Sequence, residues 1–157
     1  MQHELKEGSA APRFSLARDD GTVVTLDSYA GRKLVLYFYP RDDTAGCTRE
    51  AIEFNAARQA FADAGAAILG VSADSAESHE KFKRKHGLSI PLASDLDQSI
   101  LEAYGVWREK SMYGRKFMGI ERSTFLIDQS GHIAKIWRKV KLDGHVAAVL
   151  SACQTLD

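Results

Sequence analysis

Lys33-Leu34-Val35-Leu36-Tyr37-Phe38-Tyr39-Pro40-Arg41-Asp42-Asp43-Thr44-Ala45-Gly46-Cys47-Thr48-Arg49-Glu50 is the stretch on which the reading of this chain turns. After the lysine it is apolar without a break through Tyr39 and rich in β-formers. That predicts a strand buried on both faces. Pro40 stops the strand, because proline cannot donate to a ladder. A polar loop follows. A helical spacing of Ile52, Ala56, Ala57, Ala60, Phe61 and Ala64 comes next, ended by Gly65. Cys47 falls in the first turn of that helix.

Working outward, Ala67 to Ser72 predicts a second buried strand. Asp74-Ser75-Ala76-Glu77 has the form of a helix N-cap, and the charged helix after it ends at His86-Gly87. Leu92-Ala93 predicts a short strand, and Ser99 to Tyr104 a short helix closed by Gly105. Residues 108 to 119 are polar and glycine-containing and read as a loop. Ser123 to Ile127 and Ile133 to Trp137 predict an antiparallel hairpin turning at Asp128-Gln129-Ser130-Gly131. A helix from about Asp143 to Thr155 ends the chain. Upstream, Phe14 to Leu16 and Thr22 to Thr25 predict a hairpin around Asp19-Asp20-Gly21. Strand–helix alternation implies parallel strands covered by helices, and the closing hairpin makes the sheet mixed. The expected class is α/β with a thioredoxin-like fold: a central mixed sheet flanked by helices, with an N-terminal β-hairpin.

With 157 residues and no linker, repeat or low-complexity tract, residues 1–157 read as one domain. A chain of this length buries roughly 70% of its unfolded surface, so it needs no metal or disulfide staple. Lys plus Arg is 21 and Asp plus Glu is 21, which argues against a nucleic-acid binder. No apolar run approaches the ~20 residues that span a membrane. The start, Met1 to Glu7, is polar and has no leader-like apolar core. Two cysteines, Cys47 and Cys153, do not make a secreted disulfide framework, so a cytoplasmic location is expected.

Sites in open α/β sheets collect at the carboxyl ends of strands. A helix N-terminus there presents free N–H groups and the positive end of the dipole. Both favour a thiolate, the nucleophilic form of cysteine. An ordinary thiol is only about 3% ionised near neutrality, and raising that to roughly 90% takes about 3.4 kcal/mol. A helix end supplies about 0.3–1 kcal/mol, up to about 2 when partly buried, so a second cation is expected. The other chemistry-bearing groups read blandly. Asp42-Asp43 is explained by a solvated loop rather than a metal or acid/base pair. The five histidines show no ligand spacing. Trp107 and Trp137 read as core or pocket edge.

Pro40-x-x-x-Thr44-x-x-Cys47 resembles the active-site motif of the peroxiredoxins. The longer string from Phe38 to Glu50 resembles the bacterioferritin comigratory protein subfamily, also called peroxiredoxin Q. Gly70-Val71-Ser72, Pro91 to Asp95, Tyr104 to Trp107 and Arg122 to Asp128 carry the likeness along the chain, from about Gly8 to about Leu150. The resemblance implies a thiol-dependent peroxidase for hydrogen peroxide and organic hydroperoxides, with no cofactor. Cys47 would attack the peroxide and become a sulfenic acid. Thr44 would hydrogen-bond the peroxide and the thiolate, and Pro40 would shield them from water. Arg122 would be the missing cation, with Glu50 orienting it. The N–H groups of Gly46 and Cys47 would hold the peroxide oxygens. The resemblance also implies thioredoxin, glutaredoxin or glutathione as reductant and a monomer, with a dimer left open.

The sequence departs from the subfamily in one respect that matters. Many members carry a resolving cysteine five residues after the first, where this chain has Ile52. Others carry it in the stretch aligned with Glu80 to Lys85, which has none here. Ala45 stands where the family usually has proline. Cys153 lies on the apolar stripe of the last helix with Val146, Val149 and Leu150. It is expected to be buried and inert, the alternative being a C-terminal resolving thiol. The expectation is therefore a one-cysteine mechanism. Two other classes use a cysteine in this setting. A disulfide oxidoreductase wants Cys-x-x-Cys, and Glu50 occupies that second position. A non-enzymatic redox sensor or holdase would use the same thiol.

Overall fold

The computed structural model describes residues 5–157. Met1 to Glu4, the first part of the polar start, lie outside the described residues. The fold is thioredoxin-like. Its seven-stranded sheet is built from β1 (Ser15–Arg18), β2 (Val23–Thr25), β3 (Lys33–Phe38), β4 (Ala66–Ser72), β5 (Leu92–Ser94), β8 (Ser123–Ile127) and β9 (Ile133–Trp137). The spatial order is β2-β1-β5-β4-β3-β8-β9. β3, β4 and β5 run parallel, and the two hairpins join the sheet antiparallel to them. The helices are α1 (Ala45–Ala56), α2 (Arg58–Asp63), α3 (Ala76–His86), α4 (Ser99–Ala103) and α5 (His145–Thr155). None among the described residues is long and apolar enough to cross a membrane.

β3 is buried at every position, as its unbroken apolar run requires. Side chains alternate across a strand, so β3 feeds two separate cores. Leu34, Leu36 and Phe38 pack with Leu69, Val71, Tyr104 and Phe125 on one face. Val35, Tyr37 and Tyr39 pack with Cys47, Phe54, Phe61, Leu126 and Cys153 on the other, under α1, α2 and α5. Lys33, at the start of β3, is itself buried. Its ammonium donates to the carbonyls of Ala64 at 3.0 Å and Cys153 at 2.7 Å, which satisfies orphan acceptors near the C-terminal ends of α2 and α5.

Three expectations need correction. Residues 108 to 119 are not a loop: β6 (Trp107–Met112) and β7 (Arg115–Ile120) form an antiparallel ribbon outside the main sheet. Most of both strands is solvated, so the apolar alternation that marks a half-buried strand is missing. Tyr113 and Gly114 have φ of 52° and 76°, the pattern of a two-residue hairpin turn. Secondly, the helix after Cys47 is two helices that break at Ala57. Arg58 Nη1 donates to the Asn55 carbonyl at the break. Finally, Ile52 does not face the core; it is exposed, and α1 buries Cys47, Glu50, Ala51 and Phe54 instead.

Candidate active site

β3 delivers the chain to the sheet's carboxyl edge, and the turn through Pro40 to Thr44 redirects it into α1. Thr44 is the N-cap residue of α1, with extended backbone at φ −89° and ψ 157°. Its hydroxyl does not cap the helix; it donates to the Arg41 carbonyl at 3.0 Å. Cys47 is the third residue of α1 and is buried. The backbone N–H groups of Ala45, Gly46 and Cys47 have no acceptor within the helix, because they belong to its first turn. Pro40 closes the strand and is half-buried.

Arg122 arrives from 75 residues downstream, immediately before β8. β8 lies beside β3, with Phe38 opposite Ser123, so the register places Arg122 at the same sheet end as Pro40. Its carbonyl accepts from Val140 N at 3.1 Å, which holds the backbone there. The guanidinium forks. Nη2 donates to Cys47 Sγ at 3.4 Å, and Nη1 donates to Glu50 Oε1 at 2.6 Å. Burial opposes charge on Arg122, but Glu50 and Cys47 outweigh it and hold the guanidinium more firmly protonated than usual.

Glu50 sits one turn after Cys47 and is fully buried. Burial pushes its carboxyl up to about 7, against the pull of Arg122. Its Oε2 and the Tyr37 hydroxyl are buried with no hydrogen-bond partner among the described residues. Tyr37 is kept well above its ordinary range by burial first, then by the Glu50 and Cys47 charges.

The structure thus brings Cys47, Arg122 and Glu50 into direct contact and places Thr44, Gly46 and Pro40 on the adjoining turn. Cys47 and Cys153 are both buried free thiols, and they differ in their neighbours: Cys47 Sγ takes the Arg122 contact, whereas at Cys153 burial pushes the thiol up to about 11 against the pull of Lys33.

Two features escape the sequence reading. Gly46 is more than a donor of N–H. A Cβ on it would lie 3.1 Å from Arg122 Nη2 and 3.6 Å from Leu142 Cδ1, so the missing side chain is what admits the guanidinium. The signal was a glycine in a helical first turn, where propensity disfavours it. The Asp42-Asp43 pair is also not simply solvated. Asp42 is buried and accepts from Tyr39 and Ser78, with His79 Nδ1 at 2.7 Å. Only Asp43 faces solvent, paired with Lys85 and His86. An acidic pair read from sequence carries no sign of which carboxylate turns inward.

The model of the AhpC/TSA family matches residues 8–136. The chain is 48% identical over 152 residues to the peroxiredoxin Bcp of Bacillus subtilis, spanning 97% of each. It is 51% identical over 137 residues to the peroxiredoxin Bcp of Xanthomonas campestris, spanning 87% of this chain and 86% of that one. Among solved structures, it matches the Xanthomonas campestris peroxiredoxin Q with a TM-score of 0.86 at 50% identity, over 90% of this chain and 89% of the other. It matches the PrxQ of Xylella fastidiosa with a TM-score of 0.90 at 40% identity, over 97% and 96%. Another similar structure is that of the Xanthomonas campestris bacterioferritin comigratory protein, described for its alkyl peroxide reduction activity. A thiol in the first turn of a helix, a guanidinium on its sulfur and these likenesses along nearly the whole chain lead to one assignment: the chain belongs to the AhpC/TSA family, in its Bcp/PrxQ branch of peroxiredoxins, and is a thiol peroxidase.

Proposed function

We propose that Cys47 is the peroxidatic residue and that the chain reduces hydrogen peroxide and alkyl hydroperoxides by a one-cysteine cycle. The observation that carries this is the 3.4 Å contact from Arg122 Nη2 to Cys47 Sγ at the start of α1. The cation and the helix end both face the sulfur that attacks. The thiolate attacks the terminal oxygen of the hydroperoxide. The S–O bond forms as the O–O bond breaks, and the leaving alkoxide takes a proton to become an alcohol, or water from hydrogen peroxide. Cys47 is left as a sulfenic acid.

Supporting roles follow from position. The N–H groups of Gly46 and Cys47 and the Arg122 Nη2 that already faces the sulfur meet the negative charge that develops on the peroxide oxygens. The Thr44 hydroxyl has its own proton committed to Arg41, so its lone pairs accept the O–H of the substrate. Pro40 excludes water from the mouth and removes a competing N–H. Glu50 anchors Arg122.

A one-cysteine cycle is supported by Ile52 at the local resolving position, by the absence of cysteine from 80 to 85, and by the full burial of Cys153. The sulfenic acid is then reduced by two outside thiols. The first forms a mixed disulfide and releases water, and the second frees Cys47. Thioredoxin, glutaredoxin or glutathione supplies that chemistry in a reducing cytoplasm. Every group invoked comes from one chain, so a monomer suffices.

Peroxide consumption by wild type and Cys47→Ser tests the reading. Wild type consumes peroxide with a thiol donor, and the variant does not. Activity surviving the change rejects the mechanism, and insulin reduction by wild type would favour a disulfide oxidoreductase.

A further inference from the structure

We infer that Asp42 is a positioning residue for the peroxide reaction, clasping the active-site turn to α3 through His79 and Ser78. The inference rests on the peroxidatic reading of Cys47.

Asp42 lies midway between Pro40 and Thr44. Its carboxylate is fully engaged away from solvent. Oδ1 accepts from the Tyr39 hydroxyl at 2.6 Å. Oδ2 accepts from the Ser78 hydroxyl at 2.8 Å and lies 2.7 Å from His79 Nδ1. His79 is itself fully buried, and its Nε2 donates to the Ala93 carbonyl at 3.0 Å. A carbonyl can only accept, so Nε2 carries a proton, and a second proton lies between Nδ1 and Asp42. The backbone is tied as well: Asp42 N donates to Asp74 Oδ2 at 2.8 Å, and Ser72 holds Asp74 in turn. The next residue, Asp43, reaches the other end of α3 and pairs with Lys85 and His86. Successive carboxylates thus grip α3 at its first and last turns.

The clasp answers a need of the turn. Asp43 has φ of 60°, the left-handed region, which costs a non-glycine residue about 1 kcal/mol. The contacts of Asp42 and Asp43 with α3 offset that cost. None of these contacts touches Cys47 or Arg122. Arg122 is anchored separately, through Glu50 and its own carbonyl. Releasing Asp42 should leave the thiolate in place but let Pro40 and Thr44 drift. Peroxide needs that turn, whereas a small alkylating reagent needs only the thiolate.

The experiment measures two second-order rates at Cys47, with hydrogen peroxide and with iodoacetamide, for wild type, Asp42→Asn and His79→Gln. The expected result is a peroxide rate lowered roughly tenfold to hundredfold, as misplacement of catalytic groups produces, with an iodoacetamide rate unchanged or raised. The double variant should lose no more than the worse single one, because both break one clasp. Should Asp42→Asn fail to fold, Ser78→Ala and Tyr39→Phe each remove one bond to the carboxylate, and the ratio of rates falls in the same direction. Rates that fall together, or a ratio equal to wild type in these variants, overturn the clasp. A wild-type chain whose Cys47 does not react with peroxide overturns the reading beneath it.

Discussion

A Cβ on Gly46 would sit 3.1 Å from Arg122 Nη2, closer than the guanidinium tolerates without moving. That guanidinium cannot retreat freely, because its other nitrogen is 2.6 Å from Glu50 Oε1. Gly46→Ala is therefore expected to separate stability from activity. Alanine is intrinsically better than glycine inside a helix by about 0.8–1 kcal/mol, so the thermal midpoint holds or rises. The bond from Nη2 to Cys47 Sγ lengthens, and the peroxide rate falls. Gly46→Val falls further. Rates by competition kinetics, beside thermal melts, decide it; an alanine variant as fast as wild type would show that Arg122 has room to spare.

The fork on Arg122 holds two groups at once, so Arg122→Gln removes a charge-assisted bond to sulfur and strands Glu50. Such a bond is worth about 1.5–3 kcal/mol, which sets a loss of roughly 10- to 150-fold in peroxide rate. Arg122→Lys should recover only part, because a point charge on a flexible stem cannot reach both partners in a fixed fork. A lysine variant with full activity would mean that charge alone, not geometry, is what the site requires.

Glu50 makes stability depend on pH in an unusual direction. Its carboxyl is pushed from an ordinary 4.5 up to about 7 by burial, against Arg122. Between those values the folded chain holds a proton that the unfolded chain has lost, so stability falls as pH rises. The full effect is on the order of 3 kcal/mol. His145 acts the other way. Burial, then Arg122, lowers its ring from 6.5 to about 4, and its Nε2 shares a hydrogen bond with Thr124 Oγ1 at 2.8 Å. Its contribution is present above 6.5 and is lost as pH falls toward 4. Glu50→Gln should therefore remove the falling slope and unmask the rising one. Urea midpoints of wild type and variant across this range give a difference curve that isolates Glu50; a flat difference would show that Glu50 is ionised throughout.

What the sequence made legible follows the physics of each segment. β3 was readable because a strand buried on both faces has no polar face to confuse the pattern. α3 was readable from its cap, and Ser75 Oγ does accept from Ser78 N at 3.1 Å while Gly87 ends the helix at φ 66°. The β6–β7 ribbon was not, since its strands are largely solvated and carry their information in the Tyr113-Gly114 turn. In the site, Cys47 and Thr44 are local to one motif. Arg122 emerged only by resemblance, because the strand pairing of β3 with β8 is a long-range fact. The inward turn of Asp42 is not marked by its neighbours in the chain: beyond the Tyr39 hydroxyl, its side-chain partners lie on α3, 36 and 37 residues away.

Cys153 provides the sharpest test of the one-cysteine cycle. It is fully buried on α5, and burial pushes its thiol up to about 11, so almost none is thiolate near neutrality. Its backbone carbonyl is held by Lys33 Nζ at 2.7 Å, which ties this last stretch of α5 to the start of β3. Reaching a sulfenic acid on Cys47 would require breaking that tie and exposing the thiol. The native protein should therefore react with a thiol reagent at one cysteine, and at two only after unfolding. Cys153→Ala should keep the peroxide rate and the ability to turn over with an outside thiol. It should cost about 1 kcal/mol of stability for the small cavity left behind. Peroxide-treated protein, digested without reduction and weighed, should show Cys47 oxygenated or in a mixed disulfide. A stoichiometric bridge between Cys47 and Cys153 would instead mean that α5 unwinds during the cycle, and that the outside thiol acts on a disulfide rather than on the sulfenic acid.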